Sequence, residues 1–181
     1  MATASQRSGS TAVVFEKAHV ELPSDREVKV IRSFKAPREL VYKAYTTPSL
    51  VQRWMLGPPG WTMPVCEMDV RAGGNYRWRW RSEEDGKEFG FHGTYREVDQ
   101  PRRIVATEYF DPGDLSANMG DGALITVELV ESDGITTMTS LMDFGTKEAR
   151  DAAVSTGMTD GMEASYQLLD RVLSEQKRPA R

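Results

Sequence analysis

The sequence predicts an α+β domain in which a curved antiparallel sheet supports a pair of short helices and one long C-terminal helix. Three observations carry that prediction. Residues 34–61, FKAPRELVYKAYTTPSLVQRWMLGPPGW, hold two short helical patterns, each opened by a proline. Residues 62–144 read as six strands divided by turn signals, and from Thr159 apolar residues recur on one helical face. Helices as short as the first two cannot bury their own apolar stripes, so they must lie against a broad surface, which the strands supply.

In chain order, residues 1–24 are expected to form a mobile N-terminal extension. Met1 to about Thr11 are dominated by small polar residues and alanine, a composition that cannot repay ordering entropy. Ala12 to Leu22 carries a weak edge-strand signal. Ser24-Asp25-Arg26-Glu27 has the form of a capping box, but Glu27 to Phe34 alternates and is β-rich, so a strand is expected there. Pro37 and Pro48 each fit the first position of a helix, with Thr47 as the cap of the second. Leu40, Val41, Ala44 and Tyr45 form one apolar stripe; Leu50, Val51, Trp54 and Met55 form the other. Gly57-Pro58-Pro59-Gly60 stops the second helix.

Strands are then expected over Thr62–Val70, Asn75–Ser82, Glu88–Val98, Arg102–Phe110, Ala123–Glu131 and Ile135–Phe144. With Glu27–Phe34 they make seven. Turns fall at 71–74, at Asp85-Gly86, at 99–101 and at Asp133-Gly134. Short connections, apart from the loop 111–122, favour a meander. A helix starting at Thr146-Lys147-Glu148 is interrupted at Gly157. The last helix runs about five turns with Met162, Ser165, Tyr166, Leu169, Val172 and Leu173 on one face. Lys177, Arg178 and Arg181 suit its negative end. Residues 25–178 are read as a single domain and 179–181 as a tail.

Composition narrows the function. In 181 residues a net charge of −4 argues against sequence-independent nucleic-acid binding. The single cysteine, Cys66, excludes an internal disulfide and a multi-thiolate metal site, and in its apolar run it reads as a buried, inert thiol. No apolar run approaches the ~18 residues of a membrane span, and no hydrophobic leader follows the polar start; a cytoplasmic location and no membrane partner are expected.

Period-two alternation assigns the faces of the sheet. Tyr76, Trp78 and Trp80 point one way, and their hydrophobic payload puts that side inside. Arg77, Arg79 and Arg81 then form an outer stripe with Glu88 or Glu97 as partners. Phe89, Phe91, Gly93 and Tyr95 continue the inner face, as do Ile104, Ala106, Glu108 and Phe110, although Val105, Thr107 and Tyr109 give a competing register. Ile125, Val127 and Leu129, then Met138, Ser140, Met142 and Phe144, complete it. Small residues among large ones, with adaptable methionines, leave room for a pocket beneath a helix presenting Met162 and Tyr166.

The helix-pair stretch ending at Trp54 and Gly57, together with Gly73-Gly74-Asn75-Tyr76-Arg77, His92-Gly93-Thr94-Tyr95-Arg96-Glu97-Val98, Arg103-Ile104-Val105 and the helix from Gly161, resembles one family. It is the activator of Hsp90 ATPase homologue 1-like family of the SRPBCC, START / Bet v 1-like superfamily. The resemblance runs from about Val28 to Glu175. Family members often carry two aromatics after the equivalent of Arg53, where this chain has Trp54-Met55. Many have Gly-Trp where this chain has Gly161-Met162. What the resemblance implies is a helix-grip fold, a seven-stranded sheet around the C-terminal helix with a cavity between. It also implies apolar or amphipathic ligands such as lipids and sterols, and in some members cyclase chemistry. The family name attaches a stress-response role and an Hsp90-type chaperone partner. No shared catalytic motif comes with the family, so no catalytic residue is carried over.

The residues themselves show no HExxH, CxxC, GxSxG, Walker or GxGxxG pattern, and neither cofactor nor metal is expected. His19 falls in the extension, and His92 alternates with inward Phe91, which places it on the outer face. Glu108 is the one weak catalytic candidate: among Trp78, Trp80 and Phe110, desolvation would raise its pKa and fit it for proton transfer. The expected ligand-binding set is Trp54, Tyr76, Trp78, Trp80, Phe91, Tyr95, Glu108, Phe110, Met138, Met142, Phe144, Met162 and Tyr166. The leading expectation is a module enclosing an apolar small molecule; a cyclase- or hydratase-like enzyme and a chaperone-interacting protein are the alternatives. A monomer and a homodimer both fit the sequence.

Overall fold

The computed structural model describes residues 13–113 and 122–177. Its elements are β1 (His19–Glu21), β2 (Glu27–Phe34), α1 (Arg38–Thr46), α2 (Pro48–Trp54), β3 (Trp61–Met68), β4 (Asn75–Ser82), β5 (Glu88–Asp99), β6 (Arg103–Asp111), β7 (Ala123–Ser132), β8 (Ile135–Asp143), α3 (Lys147–Ser155) and α4 (Met158–Gln176). The strands form one antiparallel sheet in the order β1-β2-β8-β7-β6-β5-β4-β3. β3 to β8 are the expected meander, and β2 closes it by pairing with β8.

Among the described residues the sheet has eight strands, one more than expected. The addition is β1, paired with β2 through His19–Ile31 and Glu21–Lys29. The expected extension thus divides: residues 1–12 lie outside the described residues, whereas 13–24 are bonded to the domain. Phe15 and Ser33 exchange bonds through N–H to Oγ (3.0 Å) and N–H to O (2.8 Å), and Ala18 N–H donates to Glu163 of α4 at 2.7 Å. These contacts are long-range, which is why local pattern shows so little of them. The expected tail, 179–181, also lies outside the described residues.

The prolines divide too. Pro48 is the first residue of α2, as expected, but Pro37 sits one position earlier, at the cap of α1, with an extended ψ of 148°. Thr47 occupies the cap of α2 without a side-chain bond; its carbonyl accepts from Leu50 and Val51, each at 2.9 Å. At α3 the Thr146 hydroxyl does cap, accepting from Ala149 N–H at 3.2 Å. The β7–β8 turn places Asp133 (φ 52°) and Gly134 (φ 74°) both in the left-handed region, the geometry that Asp-Gly hairpins provide.

The core lies between the concave face of the sheet and the helices. Val28, Val30, Phe34, Val41, Trp54, Met138, Leu169 and Val172 are closed within it, as is Tyr42, which falls outside the predicted stripe. Two hydrogen bonds tie the helices together: Trp54 Nε1–H donates to Ala44 O at 3.0 Å, and Gly57 N–H to Ser165 Oγ at 2.8 Å. Along the middle turns of α4, buried Arg32 donates to Asp170 at 2.6 Å and to Ser33 O at 2.6 Å, with its Nε 3.5 Å from Glu163.

The face assignment holds on β4: Tyr76 and Trp80 are buried, whereas Arg77 and Arg81 are exposed. Arg79 pairs with Glu88 (3.1 Å) and Asp111 (2.7 Å), the first an expected partner. Glu97 instead bonds Arg103 at 3.1 Å, because β4 stops pairing at Asn75–Thr94 and β5 bulges between Tyr95 and Glu97.

Candidate ligand site

The site begins with a row of residues laid across four strands. Tyr76 of β4 stands opposite Gly93, Gly93 opposite Glu108, and Glu108 opposite Ala123. Gly93 makes the row work. A Cβ there would come within 1.8 Å of Thr107 O and 2.8 Å of the Tyr76 hydroxyl. With no side chain in the way, the Tyr76 hydroxyl crosses β5, donates to Thr107 O at 2.9 Å and lies 3.3 Å from Glu108 Oε2.

Those contacts decide the register of β6. Glu108 faces inward, while Tyr109 is 41% exposed and stacks on His92, also exposed, with ring centroids 5.5 Å apart. Glu108 retains part of its solvent contact, yet its carboxyl group is deeply enclosed. Burial pushes its pKa up from 4.5 to about 7, and the Tyr76 hydroxyl pulls only weakly the other way. Burial likewise raises the Tyr76, Tyr95 and Tyr45 phenols, with the nearby Glu108 charge adding to each.

Beside this row stands an aromatic wall. Trp78 packs on Tyr76 at 4.5 Å between centroids, Phe91 on Phe110 at 5.3 Å, and Trp80 stacks on Phe89 at 5.2 Å. Trp80 is fixed by its Nε1–H donating to Met55 O at 2.7 Å. Trp78 Nε1 has no partner among the described residues. Trp78, Phe89, Phe91 and Phe110 are only half-buried although they face inward.

The predicted ligand set therefore separates into two groups. Trp78, Phe91, Glu108, Phe110 and Met162 keep residual exposure. Trp54, Tyr76, Trp80, Tyr95, Met138, Met142, Phe144 and Tyr166 are buried among protein atoms, Met138 completely. Tyr45 belongs beside them, although the sequence marks it only as part of a core stripe. Its position on that stripe is visible in the sequence, but the depth of its hydroxyl is not. Cys66 is half-buried, and burial pushes its thiol up to about 11, as an inert thiol requires. Surface hollows of about 520 Å³ beside Arg32 and Asp170 and about 260 Å³ beside Trp61 and Lys87 do not reach Glu108. No three His, Cys, Asp or Glu side chains gather into a metal-binding group among the described residues.

The sequence model of the activator of Hsp90 ATPase homolog 1-like family matches residues 35–174. The chain belongs to this family. Among solved structures, this AHSA1-like chain is similar to a Rhodobacter sphaeroides protein at 27% identity and TM-score 0.79, covering 89% of this chain and 100% of that one. A Nitrosomonas europaea protein, 22% identical with a TM-score of 0.75, covers 86% and 99%. An AHSA1-like protein of Aeromonas hydrophila, 18% identical with a TM-score of 0.66, covers 84% and 99%. The last two support the fold alone. No curated protein matches the chain. Among the described residues, no helix of this family member is long and apolar enough to cross a membrane.

Proposed function

We propose that the protein binds an apolar or amphipathic small molecule between the concave face of the sheet and α4. The observation that carries this reading is the wall of Trp78, Phe91 and Phe110, inward-facing rings that are not fully buried. A filled core closes off such rings. Each one left open forgoes burial energy on the order of 1 kcal/mol, which a ligand laid against it recovers. Family membership agrees with a binding role without naming the ligand. The test is native mass spectrometry of protein purified from cells, followed by solvent extraction and a panel of apolar compounds. A bound molecule, or panel binding that quenches tryptophan emission, is the expected result. An empty protein that ignores the whole panel overturns the reading.

Glu108 favours a second reading, a cyclase- or hydratase-like enzyme on the same site. Its carboxyl group is pushed up to about 7 and lies beside the Tyr76 hydroxyl, so near neutrality it can both give and take a proton. Once a substrate is found, Glu108→Gln is expected to lower turnover at least ~100-fold, the lower end of what a positioned acid or base contributes; unchanged turnover removes Glu108 from the chemistry. An Hsp90-type chaperone as partner in a cytoplasmic stress response rests on the family name only. A pull-down that leaves the chaperone behind ends that proposal.

A further inference from the structure

This inference rests on the ligand-binding reading and concerns the chemistry of the ligand. Two hydroxyls deep in the interior, Ser140 Oγ and Tyr166 Oη, have no hydrogen-bond partner among the described residues, and each residue is only 2% exposed. An unpaired buried hydroxyl destabilises a fold, so alanine and phenylalanine would serve packing better at these positions. Ser140 lies on the inner face of β8, opposite Val30 of β2 and Val127 of β7. Tyr166 reaches in from α4 with its ring 5.9 Å from Phe34 and 6.5 Å from Trp54. Tyr45 of α1 approaches from the third side, its ring 5.0 Å from Trp54. The Ser140 hydroxyl is near enough to temper the burial-driven rise of both phenols, yet it completes no well-formed bond.

The surroundings narrow what such a cluster takes. Between it and Glu108 the inner face presents an apolar row, Ala106 opposite Ile125 and Ile125 opposite Met142. The buried cation nearby, Arg32, is already held by Asp170 at 2.6 Å and Glu163 at 3.5 Å. A carboxylate ligand would meet a neutralised guanidinium and a further carboxyl group. A ketone oxygen or a hydroxyl meets what the cluster lacks, since serine and tyrosine hydroxyls both donate and accept.

We propose that the hydroxyls of Tyr45, Ser140 and Tyr166 form the polar anchor for a neutral, oxygen-bearing ligand. This is a ketone, alcohol or phenol whose apolar body lies along Ala106, Ile125 and Met142.

The experiment is isothermal titration of the full chain with four matched probes: naphthalene, 2-naphthol, 2-acetonaphthone and 2-naphthoate. The expected result is a Kd at least ~tenfold lower for the naphthol or the ketone than for naphthalene or the carboxylate, the scale of one well-made hydrogen bond. Tyr166→Phe and Ser140→Ala, with folding checked by circular dichroism, should each abolish most of that preference, and His92→Ala on the outer face should preserve it. Equal binding of all four probes leaves the pocket standing but overturns the anchor, because the hydroxyls then hold only water. Tighter binding of the carboxylate, or variants that keep the full preference, overturns it as well. Failure of all four to bind overturns the anchor; the reading it rests on falls with it only when the wider apolar panel is ignored as well.

Discussion

A carboxyl group pushed by burial from 4.5 to about 7 keeps its proton in the folded chain after the unfolded chain has lost it. For Glu108 the sign follows directly. Below 4.5 both states are protonated and the group is silent. Between 4.5 and about 7 the folded state binds more protons, so stability falls as pH rises, and above that window the loss is complete. The full shift corresponds to about 3 kcal/mol, a ceiling that the residue's partial exposure trims. Glu108→Gln is expected to flatten this slope, seen in urea denaturation on the acid and alkaline sides of the window; a slope equal to the parent's would show that the carboxyl group titrates normally. The unpartnered hydroxyls predict the opposite of the usual mutational sign. Ser140→Ala should raise stability by about 1 kcal/mol, measured from the denaturation midpoint, because it removes a desolvated group that bonds to nothing. A loss of stability would mean that the hydroxyl is bonded in solution. Alternation makes Glu108 visible as an inward carboxylate but leaves Tyr109 as a rival. The Tyr76 hydroxyl beside Glu108 and the stacking of Tyr109 on His92 outside the sheet together separate the two. Missing bonds at Ser140 and Tyr166 depend on distances between three elements, which no local pattern encodes.

Single elements are held by a few long-range contacts, and these set the next expectations. α4 is joined to β2 by Arg32, which is almost fully buried and donates to Asp170. Burial raises the pKa of Asp170 while Arg32 opposes that rise, so each charge leans on the other. Asp170→Ala leaves a buried guanidinium short of its partner and should cost about 3 kcal/mol, whereas an exposed pair such as Lys147–Asp151 should contribute under about 1 kcal/mol. Chemical denaturation of Asp170→Ala and of Lys147→Ala checks the contrast; equal losses would put Arg32 in water. Gly93→Ala forces a Cβ into the Thr107 carbonyl, so β5 must part from β6. Loss of cooperative unfolding, or a destabilisation of about 4 kcal/mol, is expected. Elements with a strong internal period are legible in the sequence: α4, β4 and the β7–β8 hairpin carry their signals within one stretch. β1 is faint there because three residues are too few to display a period. The partner of Glu97 is misjudged by alternation because a bulge, invisible to that pattern, rotates the strand beyond Tyr95.

Across the whole molecule the interior is unevenly filled. On the side of β2, β8 and α4, Val28, Phe34, Met138 and Leu169 are fully closed off. On the side of β3, β4 and β5 the fully packed cluster is small, Val51, Met63 and Trp80, bordered by the half-buried rings of Trp61, Trp78, Phe89 and Phe91. Burial sets how much free energy a local opening costs, so the two sides should open independently and at different cost. Backbone amides of β2 and β8 are expected to exchange with solvent only on global unfolding. Those of β4 and β5 should exchange through cheaper local openings, faster by at least ~tenfold in native-state hydrogen exchange. A ligand laid against Trp78 and Phe91 adds the missing contacts on the weaker side only. Its signature is therefore slower exchange in β4 and β5 with little change in β2 and β8, scaling with occupancy as linkage requires. Uniform protection over the whole sheet, with or without ligand, would mean that the two sides form one cooperative core and that the open aromatic wall has no separate thermodynamic existence.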